Sequence, residues 1–176
     1  MTAMKISQLK NLRLSRKFTL KEMIKSSTAL RCEIDNTPNK REILNLTALC
    51  VSVLQPVRDV KGIVTVNSGF RCIELNTKLG SKPSSSHVSG EAGDIEVPGL
   101  DNYVLAMWIR DNLKFDQLIL EHYEGGVPNS GWVHVSYSTE NKNRNQVLTL
   151  NHHGTFNGLL QSPQELIPTD EDEDTC

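Results

Sequence analysis

The order of local patterns along this chain predicts an α+β domain, with N-terminal helices packed on a small, mostly antiparallel sheet. Two observations carry the prediction. Helix-start signals and one long amphipathic stripe fall in the N-terminal third. Short β-branched or alternating segments, bounded by Gly, Pro, Asn and Ser, recur through the rest.

Thr19-Leu-Lys-Glu22 reads as a capping box, in which a Thr at the N-cap and a Glu three residues later satisfy each other's orphan backbone donors. It predicts a short helix over about residues 20–27. Thr37-Pro38 predicts the start of a longer helix with Pro at its first position. Ile43, Leu46, Cys50, Val53, Leu54 and Val57 follow the i, i+3, i+4, i+7 spacing of one buried face. Pro56 should kink or end that helix. Lys61-Gly62 reads as a turn, and residues 63–66 as a β-branched strand that Ser68-Gly69 breaks. Residues 72–79 fit a short helix ending at Gly80, and the Ser-, Gly- and Pro-rich stretch 81–90 a loop. Residues 94–97 alternate before Pro98-Gly99 and read as a short strand. Asp101 can cap a helix with Val104, Leu105, Trp108 and Ile109 on one face. Residues 115–121 and 132–137 read as two strands of a hairpin, with Gly125-Gly126 and Pro128-Asn-Ser-Gly131 between them. In the second strand Trp132, His134 and Ser136 share one face, and Val133, Val135 and Tyr137 the other. Residues 146–150 fit an edge strand.

A length of 176 residues allows one domain with a sizeable core. The expected organisation is a basic arm at 1–17, a domain at 18–150 and a C-terminal extension at 151–176. A net charge of −2 argues against a general nucleic-acid binder. No uninterrupted apolar run approaches the ~20 residues of a membrane helix, so stable membrane insertion is not expected. The basic start (Lys5, Lys10, Arg13, Arg16, Lys17) lacks the apolar segment of a secretory signal and reads as a solvated arm. Synthesis in the cytoplasm without a signal peptide is therefore expected. Cys32, Cys50, Cys72 and Cys176 show no metal or disulfide spacing. The five acids at 170–174 read as a solvated tail.

The chemistry concentrates in Ser84-Ser-Ser-His-Val-Ser-Gly-Glu-Ala-Gly-Asp94 and Trp132-Val-His-Val-Ser136. His87, Asp94 and His134 are a three-ligand N/O set that leaves one position open, the pattern of a catalytic rather than a structural zinc site. Small residues at Gly90, Ala92 and Gly93 let the loop fold back on one ion. Taken singly, His87 reads as an exposed loop residue and His134 as a half-buried strand residue with a hydrogen bond.

The spacing His-x-x-Gly-x-Ala-x-Asp, formed by His87, Gly90, Ala92 and Asp94, resembles the zinc motif of the D-alanyl-D-alanine carboxypeptidase family. That family includes vancomycin-resistance D,D-dipeptidases and phage endolysins, and the hedgehog signalling domain has a related zinc fold. Val66-Asn-Ser-Gly-Phe-Arg71, Phe115-Asp-Gln-Leu-Ile-Leu-Glu121 and Trp132-Val-His-Val-Ser136 resemble further blocks, in the family's order. Phe18-Thr-Leu-Lys-Glu22 and Ile34-Asp-Asn-Thr-Pro38 are similar to its phage-associated branch. The resemblance covers about residues 18–150.

It implies that His87, Asp94 and His134 bind zinc, and that Arg71 holds a substrate carboxylate or steadies the carbonyl under attack. The planar fork of arginine suits either task, with a surface ion pair as the alternative. Ser86 is a candidate to hydrogen-bond substrate or to cap backbone. Trp132 is a candidate to line the cleft or to pack in the core. Many relatives place an acid three residues before the last zinc histidine, where this chain has Gly131. Glu121, at the end of a strand expected to neighbour His134, becomes the candidate general base, with Glu124 and then Glu91 behind it. His122, His152 and His153 match no motif and read as surface residues.

The implied activity is a zinc-dependent peptidase, of carboxypeptidase or endopeptidase type, cleaving the stem peptide of bacterial peptidoglycan. A phage-type lysis enzyme, monomeric and reaching the wall after release, is the expected setting. A virion- or tail-associated cell-wall peptidase and a non-catalytic zinc-containing wall-binding module are the rivals. A carboxylate beside the zinc water separates an enzyme from the module.

Overall fold

The computed structural model describes residues 11–140 and 143–161. The first ten residues of the basic arm, the acidic run at 170–174 and Cys176 lie outside the described residues.

Glu22 accepts the Thr19 backbone N–H at 2.8 Å and starts α1 (Leu20–Ile24) as the capping box predicts. The helix stops three residues early. Ser26 takes an extended conformation and accepts the Ala29 N–H at 3.1 Å, which starts a second short helix, α2 (Ser27–Arg31).

The long helix starts at Lys40, and Pro38 precedes its cap. Asn39 accepts the N–H groups of Arg41 and Glu42, and Glu42 accepts the Asn39 N–H at 2.6 Å. A cap at Thr37 would put Lys40 at the third position, with no acceptor to complete the box; Asn39 puts Glu42 there. The helix then runs as α3 (Lys40–Leu49), a π-helical segment (Cys50–Leu54) and α4 (Gln55–Lys61). Pro56 does not end it. The wider segment before it, closed by the Gln55 N–H on the Cys50 carbonyl, relieves the ring's clash with the preceding turn. Leu46, Cys50, Val53, Leu54 and Val57 are buried as expected, with Leu49 added, while Ile43 is only half-buried. Lys40–Lys61 is long and apolar enough to cross a membrane by length and composition, but its apolar stripe lies in the core.

The strands form a six-stranded sheet in the order β1-β2-β4-β3-β5-β6. They are β1 (Thr65–Ser68), β2 (Ala92–Glu96), β3 (Gln117–Glu121), β4 (Trp132–Ser136), β5 (Gln146–Asn151) and β6 (Gly154–Asn157). The sheet is mixed, which corrects the expectation of a mostly antiparallel one. After β4 the chain crosses to the far side of β3, and a strand antiparallel to β4 must there run parallel to β3. β5 is also not an edge, because β6 pairs outside it. β1 begins two residues later than expected and leaves Ile63 exposed. β2 begins two residues earlier, so Asp94 sits at its centre rather than its start. α5 (Ile73–Lys78) lies between them. Asp101 caps α6 (Asn102–Asn112) through the Val104 N–H. Its buried face is Asn102, Leu105, Ala106 and Ile109, with Val104 turned to solvent.

Alternation divides the sheet. Ile95, Leu118, Leu120, Val133 and Val135 are fully buried against the helices. The opposite face carries Asp94, Ile119, Glu121, Trp132 and His134, placed side by side by the pairs Asp94–His134, Ile119–His134 and Glu121–Trp132. The core also takes in Leu14, from the segment expected to be solvated, and the sheet continues past residue 150 to Asn157. Cys32, Cys50 and Cys72 are free thiols.

Candidate metal centre

Three side chains meet on the open face of the sheet, and each is aimed by its own local structure. Asp94 and His134 are register partners on β2 and β4. His87 comes from the loop before β2, and its ring is fixed by the Gly69 carbonyl, 2.6 Å from Nδ1. That acceptor places the proton on Nδ1 and leaves Nε2 as a bare lone pair. Nε2 faces Asp94 Oδ1 at 3.1 Å and His134 Nδ1 at 3.2 Å, and the last two atoms are 2.9 Å apart. Tetrahedral ligands at about 2.0–2.1 Å from zinc stand about 3.3–3.4 Å from one another, so this triangle fits one face of such a shell with slight expansion. All three residues are buried, at 2% to 7% exposure.

The protonation states suit a cation. Burial lowers the His87 pKa, against the opposing pull of Asp94, so the ring is neutral at neutral pH. Burial alone would raise Asp94. The hydrogen bonds and charges of His134 and His87 outweigh it and hold the carboxyl well below the ordinary range.

Arg71 stands behind the aspartate. Its Nη2 donates to Asp94 Oδ2 at 2.8 Å, Nε to Ser68 Oγ at 2.8 Å and Nη1 to Ser81 Oγ at 3.0 Å. Oδ2 is thereby engaged, and Oδ1 is turned toward the histidines. Arg71 thus positions a candidate metal ligand as well as lining the cleft. Arg71→Lys keeps the charge and loses the three-way fork. It is expected to weaken zinc affinity by about 10–100-fold, the usual cost of losing a group that orients a ligand. Competition with a calibrated chelator measures this, and wild-type affinity would leave Arg71 a role toward substrate alone.

Glu121 ends β3 on the same face, with Oε1 4.0 Å from His134 Nδ1. Its side chain is 17% exposed, and burial together with the nearby Asp94 charge raises its pKa, against the pull of His134. The other candidate acids are elsewhere. Glu124 is an exposed residue of the β3–β4 loop. Glu91 accepts from Ser89 Oγ and lines a separate depression with Arg41 and Arg144. The metal cleft, about 520 Å³, is also lined by Ser86 and Trp132. The Trp132 ring tilts against His122, 5.3 Å away, and its Nε1 is buried with no hydrogen-bond partner among the described residues. His122, His152 and His153 are exposed.

Gly131 shows why no acid stands three residues before His134. Its φ is +62°, and a Cβ there would overlap the Glu121 carbonyl. The close approach seats the loop end directly on the end of β3. Gly131→Ala is expected to destabilise the fold by more than ~1 kcal/mol, since it adds both strain and a clash with backbone. Chemical denaturation measures it, and an unchanged midpoint would show that the loop can move aside.

The sequence offered no signal for several contributors. The Gly69 carbonyl and Ser81 act only through contacts with residues 18 and 10 positions away in the chain. Asn36 is another: it donates to the Ile24 and Phe70 carbonyls and accepts the Cys72 N–H at 2.7 Å, tying down the segment that carries Arg71. Leu150 and Thr155, on β5 and β6, complete the cleft.

A family model described as Peptidase M15 matches residues 16–136, well over half of the chain, and the match spans all three converging side chains, Arg71 and Glu121. The chain belongs to the peptidase M15 family, whose members are zinc-dependent metallopeptidases. No curated protein matches it.

Proposed function

We propose that this peptidase M15 member hydrolyses the stem peptide of bacterial peptidoglycan, with zinc held by His87 Nε2, Asp94 Oδ1 and His134 Nδ1. The observation that carries the reading is a half-buried carboxylate, Glu121, set 4.0 Å from one atom of a three-atom ligand set on the same sheet face. A wall-binding module would need the ligands and not the carboxylate. Zinc at this position supplies a Lewis acid and lowers the pKa of a water molecule toward neutrality.

The chain's own residues divide the remaining work. Glu121 takes the proton of the attacking water and returns it to the amine that leaves. Arg71 keeps Asp94 oriented, and its charge favours negative charge developing in the cleft. Ser86 and Trp132 line the place where the peptide lies. The bacterial cell wall is the place of action that this substrate implies, and lysis by a phage-type enzyme is the setting we favour.

Purified peptidoglycan incubated with the zinc-loaded protein should release fragments whose masses identify one cleaved peptide bond. A chelator should stop the release, and added zinc should restore it. Intact peptidoglycan after prolonged incubation with the zinc-loaded protein would overturn the reading.

A further inference from the structure

We propose that the substrate peptide crosses the metal site and continues into a slot beside β1, where Lys25 recognises a carboxylate on the peptide, so that cleavage falls within a chain and not only at its end. This rests on the peptidase reading above.

The metal cleft is not closed on the β1 side. A second depression of about 700 Å³ adjoins it and shares Arg71, Ser81 and Trp132 with it. That volume lies within the range of ligand sites, ~300–1,000 Å³. Residues 25–28, β1, Phe70 and Leu75 line it. β1 ends the sheet order and pairs only with β2 among the described strands. On the far side the cleft reaches Leu150 and Thr155 on β5 and β6. The whole groove runs across the sheet from β1 to β6, with the candidate ligands on the inner strands β2 and β4. An enzyme confined to terminal residues needs one side of its site blocked, and among the described residues the cleft continues on the β1 side into the slot.

Charge selects the peptide. Among the described residues no acid lines the slot. Arg71 is committed to Asp94, whereas Lys25 is exposed and has no ion-pair partner among the described residues. The slot is thus cationic and rich in hydroxyls, from Ser26, Ser27, Thr28, Thr65 and Ser68. A peptide bearing a side-chain or branch carboxylate fits it better than an uncharged or basic one.

The test uses the zinc-loaded full chain and synthetic stem peptides of increasing length, each made with a free carboxylate and as its amide. The longer peptides should be cut internally. Amidation, or Lys25→Glu, should raise KM several-fold, up to about tenfold, with kcat little changed, as loss or reversal of one partly screened ion pair implies. Binding of the same peptides by calorimetry, with Lys25→Glu checked for an unchanged Tm, gives a readout independent of turnover. Release of only the terminal residue, or KM and Kd values indifferent to both changes, would overturn the slot while leaving the peptidase reading intact. Carboxylate-dependent binding without hydrolysis would uphold the slot and sink the peptidase reading. Neither binding nor hydrolysis would sink both.

Discussion

Asp94→Asn and His87→Ala should each remove most of the bound zinc, and with it all measurable hydrolysis. The wild-type protein should carry about one zinc per chain, as a three-ligand open site implies. Two ligand atoms cannot hold the ion against a chelator, and the geometry offers no fourth side chain: among the described residues, only His87, Asp94 and His134 form a group that could hold a metal. The two variants lose the ion by different routes. His87→Ala removes Nε2 and frees the Gly69 carbonyl that had oriented the ring. Asp94→Asn keeps the shape of the side chain but replaces the charge that faces both histidines and Arg71. Asp94→Ala is a poorer choice. It would strand the Arg71 cation, 12% exposed, without its partner, and leaving a buried charge unpaired costs roughly 3–5 kcal/mol. Metal content by mass spectrometry, with circular dichroism to confirm folding, decides the matter. Full zinc retention in both folded variants would refute the ligand assignment.

The candidate ligands were legible because each rests on a local pattern. The alternation of Trp132-Val-His-Val-Ser136 places His134 opposite two core valines, and the structure agrees. The spacing from His87 to Asp94, with small residues between, marks a loop returning to a strand. The support for those ligands was not legible, because it is made across the chain. Arg71 reads as a lone cation beside a turn until Ser81 and Asp94 are brought around it. The same limit governs the sheet. Alternation identifies residues 146–150 as a strand but does not say that it crosses β3 to pair in parallel. β6, four residues long, carries too short a pattern to announce itself. The long helix errs in the opposite sense. Pro56 is a local signal for a kink or an end, and the helix does not end there, because a π-helical segment backed by the buried Cys50, Val53 and Leu54 carries it on.

Glu121→Gln is expected to lower kcat by about 10²–10⁴-fold while leaving zinc content and Tm close to wild type. Alternation puts Glu121 on the face of Ile119, and the register with Trp132 brings it to the end of β3 beside His134. Zinc lowers the pKa of water without a base, but the departing amine of a peptide still needs a proton. A group that accepts the water's proton and returns it must therefore sit within reach of both, and must hold the proton between the two steps. Glu121 Oε1, 4.0 Å from His134 Nδ1 and only partly exposed, is placed for that task. Glutamine keeps the size and the hydrogen bonding and cannot carry out the transfer. The loss should fall on kcat with KM little changed, because the interaction removed belongs to the transition state. Glu124→Gln, in the exposed loop, and Glu91→Gln, in a separate depression, should retain most activity. A Glu121→Gln enzyme with wild-type kcat would remove the carboxylate from the reaction and leave a zinc site without an assigned base. A large loss in Glu124→Gln instead would mean that the β3–β4 loop closes over the cleft during turnover.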